Sequence, residues 1–255
     1  VPAVRIPLAA PHPTRGSRHT SAFLASFGVF VLTLFLSSPV IGSMTEERNN
    51  KVIEVLAAAV PLEAVFFGKL IGMFGIALVF VGFWGTMLAA IGSLVPAGLA
   101  QGLGDLHPAT GALFPLLFCA YFTMAYMVLG AIYLGVGAQA TSTREVQLLS
   151  LPITIVQIGM FGLSTAAASH PHGTVALVAE LFPLSSPFAM AGQAAGQPQL
   201  WPHVAALAWQ AMWVAVFIAI GARAFRRGVL QSGSARPGWM RRRRTAVPAA
   251  SGNMG

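Results

Sequence analysis

Charge is what this chain has least of. Asp, Glu, Lys and Arg together make up 9 % of its 255 residues, against 56 % hydrophobic residues. An ordinary soluble domain carries about 25 % charged residues. So little charge cannot clothe a soluble globule, which excludes a cytosolic enzyme and leaves an integral membrane protein. Disorder is excluded by the abundance of Phe, Leu, Val and Ala. Cysteine is nearly absent as well. Cys119 stands alone, so the chain has no internal disulfide framework, and this thiol reads as a packing residue. The formal net charge of +8 does not point to nucleic acid. Eight of the 15 basic residues lie between Arg223 and Arg244, and the run Arg241–Arg244 reads as an inner anchor on anionic lipid.

The scarce charges act as punctuation. Residues 19–45, 70–104, 106–143, 146–179 and 181–222 contain no Lys, Arg, Asp or Glu. A spanning helix needs roughly 20 mostly apolar residues, so each stretch holds one span and a connector. The expected spans are about 21–43, 64–88, 113–136, 148–168 and 201–222. The apolar runs are continuous and do not alternate with period two, which favours helices over barrel strands. The expected fold is an all-α polytopic helical bundle. A membrane domain over 21–227 lies between a Pro-rich external segment, 1–20, and a basic cytoplasmic tail, 228–255.

Orientation follows Lys and Arg. With the C-terminus cytoplasmic, twelve of them fall inside: Arg48, Lys51, Lys69, Arg144 and the eight tail arginines. Only Arg5, Arg15 and Arg18 fall outside. The N-terminal stretch carries Pro2, Pro7, Pro11 and Pro13, which forbid a regular helix there. The apolar run that follows is too long for a signal peptide. An external N-terminus with no partner span suggests a chain that once continued upstream. On the outer side, 175–182 is apolar but for Glu180, and Pro183 and Pro187 then break it, with Ser185 and Ser186 between. This predicts a short helix or re-entrant hairpin over about 175–192.

The first cytoplasmic connector is the least bland part of the sequence. Residues 44–72 hold four of the seven acids, Glu46, Glu47, Glu54 and Glu63, and both lysines, Lys51 and Lys69. As a helix over about 46–60 it would begin with Ser43 and Glu46 in capping-box spacing. Val52, Val55, Leu56, Ala59 and Val60 form an apolar face. Glu47, Lys51 and Glu54 fall opposite it, with Glu47 and Lys51 in the favourable i, i+4 order. Pro61 stops this helix or opens the next. The pattern describes an amphipathic helix in the inner interface; a plain connector between two spans would show the same amphipathicity.

The same string resembles the cytoplasmic connector of type 2 ATP-binding cassette (ABC) exporter permeases, especially their sodium-exporter-like branch. The shared order is an acidic pair (Glu46-Glu47), a basic residue (Lys51), Glu54-Val55-Leu56, the small stretch Ala57–Ala59, Pro61, and Gly68-Lys69 followed by Gly72. The stretch 182–190 resembles the external segment before the last span of such permeases. The resemblance covers about 21–227 and leaves out a first span and large external domain. It implies a membrane-spanning exporter subunit of the inner (plasma) membrane, driven by a separate ABC ATPase that binds ATP and Mg. It also implies a second permease copy or paralogue. The implied ATPase-docking residues are Glu46, Glu47, Arg48, Lys51 and Glu54. Gly68 and Gly72 would permit close helix packing, and Lys69 would snorkel from the inner end of its span.

Other chemistry is set aside on spacing. Gly68-Lys69 is followed by Leu70 where a P-loop needs Ser or Thr. An intramembrane glutamate protease needs histidines within spans, whereas His12, His19, His107, His170, His172 and His203 lie in tails, connectors or span ends. Gly162-Leu163-Ser164 lacks the next glycine of a rhomboid serine site. His170 and His172 lack a third metal ligand nearby. No catalytic residue, bound cofactor or metal is expected. Gln157 and Gln210, polar at mid-span, either bridge helices or line a path. The rival readings are a polytopic intramembrane enzyme and a non-transporting membrane assembly subunit.

Overall fold

The computed structural model describes residues 15–50, 59–94, 108–140, 142–169 and 173–233, together with Val52 and Leu56. Among them there are seven α-helices and no strand. The helices are α1 (Arg15–Asn49), α2 (Leu62–Leu94), α3 (Phe114–Gly137), α4 (Thr143–Ser169), α5 (Thr174–Leu181), α6 (Ser186–Gly196) and α7 (Trp201–Gly233). Five stretches are long and apolar enough to cross a membrane: Gly16–Met44, Leu62–Leu94, Gly111–Gly137, Arg144–Ser169 and Trp201–Leu230. Each contains one of the spans expected from the charge-free gaps. The protein is an all-α polytopic membrane bundle.

Its surface carries large apolar side chains outward. Phe35, Ile76 and Val79 are each more than 70 % exposed, an arrangement that only lipid or another apolar chain satisfies. Polar mid-helix side chains turn back on their own backbone. Ser37 donates to the Thr33 carbonyl, and Thr86 to Gly82 and Phe83, so these two hydroxyl donors are satisfied without water.

The centre of the bundle is α3, which packs on α1 and α7. Glycines set the α3–α7 spacing. A Cβ at Gly221 would sit 2.6 Å from the Ala131 carbonyl oxygen, and one at Gly228 would sit 2.7 Å from that of Ala138. Gly135 lies against Gly221 in the same seam. With no apolar solvation difference between lipid and protein, such backbone approach is what holds membrane helices together. Two buried clusters flank this seam. One, around Met44, Phe66, Leu70, Tyr133 and Phe225, lies where α1 ends and α2 begins. The other, around Val29, Phe30, Tyr121 and Phe188, lies towards the opposite end.

Two local expectations change. The capping box at Ser43 and Glu46 does not form, because α1 runs unbroken to Asn49. The Ser43 hydroxyl instead donates to the Val40 carbonyl and meets Met73 Sδ. Serine-to-glutamate spacing is met again at Ser142 and Glu145, and there the Glu145 N–H does donate to Ser142 Oγ at the start of α4. Glycine packing also moves. Gly68 and Gly72 are exposed with nothing within 4 Å of a built Cβ, while Gly221, Gly228 and Gly192 make the close approaches. The one positive φ among the described residues is Gly111 at 57°, in the turn that leads into α3.

Candidate functional site

Described charges gather at the two ends of the bundle. Glu46, Glu47, Glu63, Lys69, Arg144, Arg223, Arg226 and Arg227 share the end where α1 finishes and α2 begins; Arg18 and Glu180 lie at the other. At the first end Lys69 Nζ pairs with Glu47 Oε1 at 2.6 Å. The lysine side chain is 9 % exposed and the glutamate 35 %. Lys69 is thus held inward between α1 and α2. A second, exposed pair joins Arg226 and Glu63 at 3.2 Å, linking the ends of α7 and α2.

The docking residues expected from sequence are placed as follows. Glu46 is exposed and Glu47 half-exposed on the last turns of α1. Arg48 lies on the same helix, its side chain outside the description. Lys51 and Glu54 lie outside the described residues. Val52, Leu56 and Ala59 are helical, and the Val60 N–H donates to the Leu56 carbonyl at 2.9 Å. Pro61 opens α2: its carbonyl accepts from Ala64 and Val65.

The Glu47–Lys69 pair makes a testable asymmetry. Glu47→Gln strands a largely buried ammonium and is expected to lower stability by about 1–2 kcal/mol, discounted because Glu47 itself meets solvent. Lys69→Met removes the buried charge and is expected to be near neutral. It should also rescue Glu47→Gln in the double variant. Thermal unfolding of the four proteins in detergent checks this; additive losses would refute the pairing.

The opposite end is built on a bent pair. Helices α5 and α6 meet at 118° around the turn 182–185. Pro183 has no N–H, so the Ala179 carbonyl loses its helical donor; the Ser185 hydroxyl replaces it at 2.8 Å. Three spans then clasp the turn. Ser164 of α4 donates to the Ser185 carbonyl at 3.1 Å, and Ser26 of α1 to the Phe188 carbonyl at 2.8 Å. From α7, Trp209 Nε1 donates to the Leu181 carbonyl and Gln210 Nε2 to Ser186 Oγ, both at 2.8 Å. Ser185 and Ser186 are fully buried. Gln210 lies about 14 Å along α7 from its Trp201 end at 1.5 Å per residue. The turn therefore lies well inside the bundle, where non-helical backbone persists because protein groups satisfy it.

The two mid-span glutamines part company here. Gln210 bridges α7 to the hairpin. Gln157 of α4 is 7 % exposed, and its Oε1 has no partner among the described residues. It lies on an apolar cavity of about 230 Å³ walled by Val128 and Ile132 of α3, Ile153 and Val156 of α4, and Leu184 and Phe188 of the hairpin. A second cavity of about 190 Å³ lies on the other side of the hairpin and is more polar, with Arg18, Ser26, Ser164, Glu180 and Gln193 in its wall. Nearby, the fully buried Tyr121 and His203 share a 2.7 Å hydrogen bond between α3 and α7. Sequence reasoning missed Ser26, Ser164, Trp209 and the Tyr121–His203 pair. Single hydroxyls in apolar runs carry no periodic signal. Only the Pro-Leu-Ser-Ser-Pro punctuation announced a special turn.

Comparison with known proteins adds two similarities. The model of the ABC-2 family transporter proteins matches residues 3–223. An uncharacterized protein of the archaeon Methanocaldococcus jannaschii is 24 % identical over 165 residues, which cover 64 % of this chain and 38 % of that protein. The chain thus spans well under two thirds of this relative's length. No solved structure matches it significantly.

Proposed function

The chain belongs to the ABC-2 transporter family, and from that premise we propose that it is the membrane-spanning permease subunit of an exporter powered by a separate ABC ATPase. The observation that carries the reading is the clustering of charge where α1, α2 and α7 end, with α1 continuing past its apolar part into Glu46, Glu47 and Arg48. Lysine and arginine counts favour that end as the cytoplasmic one. A nucleotide-driven subunit docked there would push on α1, and the Glu47–Lys69 pair would pass the movement to α2. The docking face is Glu46, Glu47, Arg48, Lys51 and Glu54. The subunit works in the inner (plasma) membrane beside a second permease copy or paralogue, with ATP and Mg held by the ATPase. The hairpin of α5 and α6 would close the outer end.

The test is co-expression with a candidate partner ABC ATPase. Glu54→Lys is expected to leave insertion and folding intact, because an exposed charge pair is worth only about 0.2–1 kcal/mol. Loss of a desolvated partner at an interface costs on the order of 2–5 kcal/mol. Co-purification of the ATPase and its stimulated hydrolysis should therefore fall together. A Glu54→Lys protein that keeps both would refute the docking role.

A further inference from the structure

The more polar cavity, between α1, α4 and the hairpin, holds two charges of opposite sign that do not meet. Arg18 of α1 and Glu180 of α5 both line it, yet neither forms an ion pair within 4 Å among the described residues. Gln193 Nε2 lies 3.5 Å from Glu180 Oε1, at the outer limit of a hydrogen bond. The other carboxylate oxygen has no hydrogen-bond partner among the described residues. A carboxylate drawn into a membrane bundle is costly unless a cation faces it, and such residues mark binding sites. The space between the charges is kept open by its walls. Their apolar part is alanine and glycine only. Ser26 and Ser164, also in the lining, hold α1 and α4 to the hairpin through the Phe188 and Ser185 carbonyls. Gly192 already lies against Ser26, since a Cβ there would sit 2.5 Å from Ser26 Oγ. The walls therefore cannot close further, and the two hydroxyl protons are spent on backbone. Recognition falls to the two charges.

We propose that this cavity binds a small water-soluble zwitterion, its ammonium on Glu180 and its carboxylate or phosphate on Arg18. A bare cation would meet Arg18 and His19, and a bare anion would meet Glu180. A ligand carrying both signs is matched at each end. The volume of about 190 Å³ falls below the range of roughly 300–1,000 Å³ for drug-sized ligands, which sets aside peptides and broad ring systems. Exposure gives the order of entry. Arg18 and His19 are exposed at the rim, whereas Glu180 is half-buried. The ammonium therefore enters first and the anion stays outermost. A phospholipid head has the reverse order, its phosphate nearer the hydrocarbon than its amine. Ala176 of α5 and Ala189 of α6 share the wall with Ala22 of α1 and Ala168 of α4, so an occupant joins both arms of the hairpin to two spans. That the zwitterion is cargo rests on the permease reading above; that it binds does not.

The test uses the purified full chain in phosphatidylglycerol nanodiscs, without any ATPase, titrated in a calorimeter with glycine, 3-aminopropanoate, 4-aminobutanoate and phosphoethanolamine. Saturable one-to-one binding is expected for at least one of these probes. Removing either charge from that probe, by N-acetylation or by methylating its anionic group, should weaken binding about tenfold or more, the worth of one charge-assisted hydrogen bond. Glu180→Gln should bring the probe and its N-acetyl form level, and Arg18→Gln should bring the probe and its methyl ester level. Ala168→Leu fills the cavity from α4 and leaves both charges in place. It should abolish binding in a folded chain, and it decides the matter if Glu180→Gln does not fold. Absence of saturable binding by all four probes would overturn the site. So would a preference for the free amine that survives Glu180→Gln, or binding of phosphatidylethanolamine added to the nanodiscs with no response to the soluble probes. Coupling between Arg18 and Glu180 in a double-variant cycle on the ligand-free chain would show that the two charges serve each other, and would also refute the proposal. Because no ATPase is present, failure of docking leaves these results untouched. Binding retained in a chain that docks no ATPase would refute the permease reading and keep the site.

Discussion

Gly221→Ala is expected to destabilise the bundle by about 1–3 kcal/mol, the usual cost of forcing an extra carbon into a packed interior. One methyl group brings this about because its carbon would sit 2.6 Å from the Ala131 carbonyl oxygen and 3.1 Å from Phe66 Cζ. The carbonyl belongs to the backbone of α3, so relief requires moving a helix. Gly228→Ala meets the Ala138 carbonyl in the same seam at 2.7 Å. Because both act on one interface, the double variant is expected to depart from additivity. Gly221→Val should fail to yield a folded protein. Gly72→Ala is the control: nothing lies within 4 Å of its Cβ position, and replacing a mid-helix glycine is worth up to about 1 kcal/mol in its favour. Thermal unfolding in detergent separates these cases. A Gly221→Ala protein as stable as Gly72→Ala would remove the α3–α7 seam as the centre of the fold.

Ser185→Ala is expected to cost about 1–3 kcal/mol, more than a surface hydroxyl would. The Ser185 hydroxyl donates to the Ala179 carbonyl, an acceptor that Pro183 has deprived of its helical N–H. Both residues are fully buried, so no water replaces the lost donor and the carbonyl bears its full desolvation penalty. The loss should appear locally as well as globally. With Cys119 replaced by alanine, a cysteine at Gln193 reports the hairpin, and an impermeant thiol reagent added from outside should react faster when Ser185 is alanine. Ser164→Ala should act in the same direction but less, since the Ser185 carbonyl it serves has a further donor in the Ala189 N–H at 3.0 Å. Equal reactivity in all three backgrounds would show that the turn does not depend on its clasp.

The membrane class and the five spans were legible because they rest on one-dimensional quantities. A lipid-crossing helix must be long, apolar and free of charge whatever it packs against. The charge-free gaps 19–45, 70–104, 106–143, 146–179 and 181–222 therefore located the helices that the structure places at Gly16–Met44, Leu62–Leu94, Gly111–Gly137, Arg144–Ser169 and Trp201–Leu230. The bend between α5 and α6 was legible for a similar reason, since Pro183 and Pro187 break a helix from within it. Where the family resemblance was read, at 46–72, the sequence set an acidic pair and a lysine close together in order. That Glu47 pairs with Lys69, 22 positions away, follows only once α1 continues to Asn49 and α2 folds back beside it.

Tertiary structure decided everything that depends on which face meets which. Gly68, Gly72, Gly221 and Gly228 look alike in a string of letters. Only the crossing of α3 and α7 makes the last two indispensable to packing and leaves the first two open. Ser26 lies more than a hundred residues before Ser164 and Gln210, yet all three converge on one turn. Gln157 and Gln210 are chemically identical at mid-span, yet one finds a serine hydroxyl and the other faces hydrocarbon. A periodic pattern records the partition of each helix between lipid and protein. The pairing of individual polar groups depends on distances between helices, and those arise only when the helices have packed.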